Sequence, residues 1–172
     1  SPISGYGADK LASELHAKVA WQVHRIPTVG LRFFNVYGPR QDPSSPYSGV
    51  IAIFADRLAR QQEIEIFGDG KQVRDFIYVG DVAAAMTEAM THLRADARVF
   101  NLCTGRGTSI LELAELIGRV VGSNPMIRYR PPRLGDIRAS IGDPSAGEDA
   151  LGMTARTAMP RGLDLTLSSH KG

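Results

Sequence analysis

Three observations predict an α/β fold. Helical and strand patterns alternate along the whole chain, with no internal repeat and no low-complexity tract. The strand signals are short β-branched and aromatic runs, best seen in residues 28–34 (TVGLRFF). Helix limits are marked by capping residues and by Gly or Pro.

Leu11, Leu15, Val19, Val23 and Ile26 recur at helical spacing, so residues 8–25 form an amphipathic helix that Pro27 ends. Residues 28–34 form a buried strand. Residues 35–48 hold Asn, Gly, Ser and three prolines and read as a long irregular connection, the kind of stretch that is more often functional than idle. Residues 50–60 read as a helix and 63–67 as a short strand, and Gly68-Asp69-Gly70-Lys71 is a hairpin-type turn. A strand over 76–79 leads into a helix capped by Asp81 and running to about His92. Residues 99–103 form a strand, and Thr108-Ser109-Ile-Leu-Glu112 offers a capping box for a helix over 110–121 that Gly122 closes. After a strand at 127–130, a loop runs to Asp143-Pro144, which caps a helix stopped by Leu151-Gly152; a weaker helix follows.

Composition narrows the function. The chain has 172 residues, 43% apolar, enough for a real core and too apolar for wholesale disorder. Apolar runs such as 50–55 are far too short to span a membrane. One cysteine excludes a disulfide framework and a Cys-built metal site. A net charge of +2 gives no argument for nucleic acid. Cys103 ends an apolar strand without a basic neighbour and reads as an inert buried thiol. His16, His24, His92 and His170 have no ligand spacing. Gly105-Arg-Gly107 lacks the third glycine of a dinucleotide loop and is better explained by the capping box.

Tyr6 and Lys10 stand four apart and project from one helix face. A tyrosine becomes a useful acid or base near neutrality when a fixed ammonium stabilises its phenolate. About 0.1 such pairs arise in this chain by chance, so the surrounding residues must supply the meaning. They are Tyr6-Gly-Ala-Asp-Lys10, Leu31-Arg-Phe-Phe-Asn35-Val-Tyr-Gly-Pro-Arg40, Ile66-Phe67-Gly-Asp-Gly70, Val73-Arg74-Asp-Phe-Ile-Tyr-Val79 and Arg130-Pro-Pro-Arg133-Leu-Gly-Asp136-Ile-Arg138.

In this order and spacing the chain resembles the extended short-chain dehydrogenase/reductases of the NAD-dependent epimerase/dehydratase family, nearest to the UDP-glucose (UDP-galactose) 4-epimerases. The resemblance implies NAD as cofactor and a UDP-sugar as substrate. Tyr6 would be the catalytic acid/base, and Lys10 would bind the nicotinamide ribose and lower the tyrosine pKa. Both residues would thus be catalytic and cofactor-binding. Asn35 would hydrogen-bond the diphosphate, and Phe67 would mark the uracil site, where neighbouring backbone groups read the base. Arg74 and Arg133 would grip the pyrophosphate, and Asp136 would accept from the ribose hydroxyls. These roles suit the residue types: guanidinium forks match phosphate oxygens, and a carboxylate suits a vicinal diol. Taken alone, Arg74 could instead pair with Asp75 at the surface, Arg133 could be a solvated loop arginine, and Asn35 could equally be a turn residue. Ser140 stands where a bulky tyrosine would exclude N-acetyl groups, so a pocket open to N-acetyl sugars is expected. The implied chemistry is oxidation at C4, rotation of the keto sugar and reduction from the other face.

The resemblance also implies a boundary. The family's glycine-rich strand-turn-helix and its catalytic Ser or Thr have no counterpart before Tyr6, and Ser1 and Ser4 stand too close to serve. The chain is therefore expected to be the C-terminal half only: the C-terminal part of an NAD(P)-binding Rossmann fold with a small α/β substrate lobe. Residues 1–34 would end the Rossmann domain and 35–172 would form the lobe, with 76–104 packing back on the Rossmann sheet. A cytoplasmic homodimer without a membrane or nucleic-acid partner is the expected setting. Two other readings stay open: a non-catalytic nucleotide-sugar-binding fragment, and another branch of the family such as a nucleotide-sugar 4,6-dehydratase. The Asn35–Pro43 and Ser45–Val50 runs look epimerase-like. Gly152-Met153 in place of the usual Gly-Trp, and Pro160, depart from the pattern at the C-terminal end.

Overall fold

The computed structural model describes residues 5–45, 49–91 and 96–168. Ser1, Ser4, residues 46–48 of the 45–50 run, His92 and His170 lie outside them. The elements follow in chain order: α1 (Gly5–His24), β1 (Gly30–Phe33), β2 (Asn35–Tyr37), α2 (Val50–Ala59), β3 (Ile64–Phe67), β4 (Val73–Tyr78), α3 (Val79–Thr91), β5 (Val99–Leu102), β6 (Gly107–Ser109), α4 (Ile110–Val121), β7 (Ile127–Arg130), β8 (Ala139–Ser140), α5 (Ser145–Leu151) and α6 (Met159–Ser168).

Parallel pairing dominates, as alternating helices and strands require. β1 runs parallel to β5, from Gly30 beside Val99 to Phe33 beside Leu102. β4 is the hub of a second sheet. Its C-terminal half pairs parallel with β2, and its N-terminal half lies between antiparallel β6 and parallel β8. β3 pairs parallel with β7, a partner some 60 residues away in sequence.

That last pairing corrects the hairpin expected at residues 68–71. The turn forms, with Gly68 and Gly70 at φ of +75° and +73°, which only glycine adopts freely. The strands on either side nevertheless join different sheets. Local turn chemistry is satisfied by either outcome, and the buried face of Ile64 and Ile66 decides between them by packing on the α2–α4 core.

Two apolar clusters carry the fold. One joins α2, β3, α4 and α6, with Ile51, Leu58, Ile64, Ile66, Leu113, Ile117 and Leu163 at most 1% exposed. The other joins β4, α3, β5 and the α5 region around Ile77, Val82, Phe100, Leu102, Leu151 and Met153. Met153 thus fills its place at the C-terminal end, 3% exposed. Pro160 falls in the first turn of α6, where a missing N–H costs nothing, so the helix forms and buries Leu163 and Leu167.

α4 follows its local signals closely: Ser109 accepts from the Glu112 N–H at 3.1 Å, and Gly122 closes the helix at φ 73°. α3 does not. It starts at Val79, and the Asp81 carboxylate accepts from the Thr157 N–H (2.9 Å) and hydroxyl (3.0 Å), tying α3 to the segment before α6 instead of capping its own helix. α1 ends where Arg25 turns left-handed at φ 54°, two residues before Pro27. None of its residues is buried.

Candidate functional site

A cleft of about 550 Å³ opens between α2, the end of β3, the start of β4 and the loop after β7. Asn35, Phe67, Arg74, Arg133 and Asp136 all line it. Asn35 arrives as the first residue of β2, opposite Phe76 on β4. Phe67 ends β3 just before the Gly68 turn, which lets the chain leave the sheet at the cleft edge.

Arg74 lies in β4 with its side chain 17% exposed, and its guanidinium pairs with Asp136. The surface pair with Asp75 does not form. Arg74 Nη1 also donates to the carbonyl oxygens of Ile137 (2.6 Å) and Val73 (2.9 Å), so one arginine staples the 131–138 loop to the strand. Arg133 lies face-on to Phe67, its guanidinium carbon 3.8 Å from the ring centroid. Other arginines nearby are spent on carboxylates: Arg128 on Glu63, Arg130 on Glu65 and Arg138 on Asp69. Arg133 has no carboxylate partner among the described residues.

Asp75 is fully buried and supports the site from behind. Its carboxylate accepts from the Thr104 N–H (2.9 Å) and hydroxyl (2.7 Å), the Gly105 N–H (2.9 Å) and the Gly142 N–H (3.3 Å). The Gly105-Arg-Gly107 segment is therefore a carboxylate-anchored turn leading to the α4 cap. Cys103, 1% exposed beside it, has its thiol pushed up to about 11 by burial and then by Asp75, as an inert thiol should.

Tyr6 and Lys10 stand together on α1, with the Lys10 ammonium 5.2 Å from the Tyr6 ring centroid. Tyr6 is 74% exposed, and neither residue lines the cleft. Ser140 is half-buried on β8 in register with Arg74, also outside the cleft lining. The structure thus brings five of the eight expected positions into one cavity and leaves three outside it. Among the described residues no cluster of His, Cys, Asp or Glu could hold a metal, and no helix is long and apolar enough to cross a membrane.

Three residues around the cleft escaped the sequence reading: Asp75, Arg57 and Glu65. Arg57 shares the helical spacing of Val50, Ile53 and Phe54, and Glu65 alternates with Ile64 and Ile66, so both had a periodic signal. Asp75 had none, because its partners lie 29 to 67 residues away.

The fold and the cleft together define an α/β protein whose cleft brings Arg74, Arg133 and Asp136 beside the Phe67 ring. The NAD dependent epimerase/dehydratase family matches residues 1–103, and the chain belongs to that family. The match falls on the N-terminal part of this chain, where α1 and the parallel β1–β5 pair form the Rossmann-like portion. This corrects the expectation of a C-terminal half only, and with it the fold class of a C-terminal Rossmann part with a lobe. The α/β, Rossmann-like arrangement is present, as the N-terminal portion.

The chain is similar to UDP-glucose 4-epimerase of Thermotoga maritima, solved with UDP-glucose: 40% identity over 99% of this chain and 54% of that one, TM-score 0.94. It is similar to a UDP-N-acetylglucosamine 4-epimerase of Methanobrevibacter ruminantium in complex with UDP-N-acetylmuramic acid, at 34% identity over 99% and 55%, TM-score 0.94. The UDP-glucose 4-epimerase of Thermus thermophilus, solved with NAD, matches at 35% identity over 100% and 55%, TM-score 0.89. The chain spans about half the length of the curated relatives it matches.

Proposed function

We propose that this chain serves an NAD-dependent nucleotide-sugar 4-epimerase acting on UDP-glucose and UDP-galactose. The observation that carries the reading is the cleft in which Arg133, without a carboxylate partner, lies beside Phe67 and the Arg74–Asp136 pair. A sugar diphosphate carries about two negative charges, and an unspent guanidinium in a partly enclosed site is a strong partner for them. Arg133 and Arg74 grip the diphosphate with Asn35, Asp136 accepts from the ribose, and the base lies at Phe67. Firm anchoring of the nucleotide leaves the sugar free to present either face.

Tyr6 and Lys10 fit the cofactor. Their shared exposed face on α1 offers an ammonium to ribose hydroxyls and a phenol to the reacting alcohol. NAD, when bound, supplies the reversible oxidation of the substrate alcohol. Tyr6 Oη takes the proton from the sugar hydroxyl and returns it, with the Lys10 ammonium beside its ring. Ser140 leaves room beside the sugar for an N-acetyl group, and the similarity to a UDP-N-acetylglucosamine epimerase supports that extension. The exposed Leu15, Val19 and Val23 of α1 support a homodimer built on that helix.

The test combines binding and turnover. Calorimetry should show UDP binding that Arg133→Ala weakens by about tenfold or more. Tyr6→Phe should abolish interconversion of UDP-galactose and UDP-glucose in the presence of NAD while leaving UDP affinity unchanged. A protein that binds no UDP, or whose turnover survives Tyr6→Phe, contradicts the reading. Turnover of UDP-glucose without any of UDP-N-acetylglucosamine contradicts the role given to Ser140.

A further inference from the structure

In the cleft, the side chains assigned to different parts of the nucleotide are engaged with each other. Phe67, given to the base, lies under the Arg133 guanidinium, whose carbon is 3.8 Å from the ring centroid. Asp136, given to the ribose, is the ion-pair partner of Arg74. Each contact therefore joins a residue of the nucleoside end to a residue of the diphosphate end. A base cannot reach the ring face that the guanidinium covers, and a ribose hydroxyl must compete with a cation for the carboxylate.

The backbone around these contacts is tied down independently of them. The segment after β7 begins where the Gly68 N–H donates to the Arg130 carbonyl oxygen at 2.9 Å, and ends where the Val73 N–H donates to that of Arg138 at 2.9 Å. Arg74 Nη1 adds its bonds to the carbonyl oxygens of Val73 and Ile137. Between these ties the Asp136 N–H donates to the Arg133 carbonyl oxygen at 3.2 Å, closing a turn with Gly135 at φ +80°. A change of partner at Arg74 Nη2 and at the Phe67 face leaves every one of those bonds intact. The ring contact of an exposed guanidinium is also weak beside a charge-assisted bond to phosphate.

We propose that the Arg133–Phe67 and Arg74–Asp136 contacts form a self-occupying gate that the diphosphate opens; this rests on the nucleotide reading above. The diphosphate draws Arg133 off the ring and Arg74 off the carboxylate, and so uncovers the partners of the base and the ribose. Diphosphate and nucleoside then bind with positive cooperativity, although they touch different side chains. By linkage, each raises the affinity for the other by the same factor. A nucleoside without phosphates meets a covered ring and an occupied carboxylate, so the gate favours the intact nucleotide.

Calorimetry with uridine, inorganic pyrophosphate and UDP tests the gate. Saturating pyrophosphate should tighten uridine binding to wild type about fivefold or more, and uridine should tighten pyrophosphate by the same factor. Arg133→Ala should weaken UDP and pyrophosphate, yet raise the affinity for uridine alone about threefold by uncovering the ring. Asp136→Asn releases Arg74, and should raise pyrophosphate affinity about threefold while weakening uridine. Leu134→Ala, fully exposed on the same turn, should leave the cooperativity unchanged. A uridine affinity indifferent to pyrophosphate overturns the gate. A drop in uridine affinity with Arg133→Ala does so too, since the guanidinium then supports the base instead of covering its site. Weaker pyrophosphate binding by Asp136→Asn makes the ion pair an orienting contact, and loss of cooperativity in Leu134→Ala traces it to loop order; either result also overturns the gate. A wild type that does not bind UDP overturns the nucleotide reading itself, and the gate with it.

Discussion

α1 and α4 are helices of the same fold in opposite situations. α4 has a serine cap, a glycine stop and five buried residues; α1 is longer, ends at a left-handed Arg25 instead of a glycine and buries none of its residues. Among the polar ties of α1 to the rest of the described residues are the Glu14–Arg32 ion pair and a long 3.5 Å hydrogen bond from the Thr28 hydroxyl to the Ala17 carbonyl oxygen. The contrast separates two kinds of helical information. α4 is stabilised by what it packs against, so its apolar stripe is spent on folding. The stripe of α1 is unspent, and the same helix presents Tyr6 and Lys10. A helix that buries so little within its own chain is held by propensity and a few polar ties, which are weak forces for twenty residues.

Mutations can break or sharpen this comparison. The largest effect is expected at Leu113, fully buried in α4: Leu113→Ala should cost about 2–5 kcal/mol in denaturant unfolding through lost burial and an unfilled cavity. Asp75→Asn comes next, at about 2–3 kcal/mol, because an amide NH₂ must then face backbone N–H donors of Thr104, Gly105 or Gly142. Retention of wild-type stability in that variant would refute the role given to the buried carboxylate. Ser109→Ala should cost about 1 kcal/mol by removing the α4 cap. On α1, Leu15→Ala should change stability by less than about 0.5 kcal/mol at protein concentrations low enough to hold the chain monomeric, since the side chain is 57% exposed within the chain. A large loss there would mean that α1 is covered in solution.

The smallest effect is a pH dependence. The Arg138 hydrogen bond, then the Lys71 N–H, lower the Asp69 carboxyl from 3.8 to about 2. A depressed carboxylate pKa stabilises the fold above the unfolded value and loses that contribution as pH falls through the folded one. The stability gap between wild type and Asp69→Asn should therefore be widest above pH 4 and close by about pH 2. A gap that stays constant over that range would exclude the ion pair as its source.

The legibility of the sequence follows the same divide between local and distant causes. The α4 limits were legible because a capping box and a left-handed glycine lie within a dozen residues of each other. The Gly68–Lys71 turn was legible and its strand partners were not, since β3 finds β7 across some 60 residues. Asp81 looked like a cap because caps are local, yet Thr157 competes for it from 76 residues away. β6 and β8 are too short to carry a periodic signal of their own.

By itself the sequence determined the α/β class, the family resemblance, the order of most elements and the identities of Asn35, Phe67, Arg74, Arg133 and Asp136 as residues of interest. Periodicity, caps and motif spacing are properties of neighbours along the chain, and neighbours can be read in one dimension. Only the tertiary structure decided that Arg74 spends itself on Asp136 while Arg133 rests on Phe67, and that Glu65 and Arg57 look into the same cleft. Those outcomes are competitions among many arginines and carboxylates for partners. Distance in space, which the sequence does not contain, settles them.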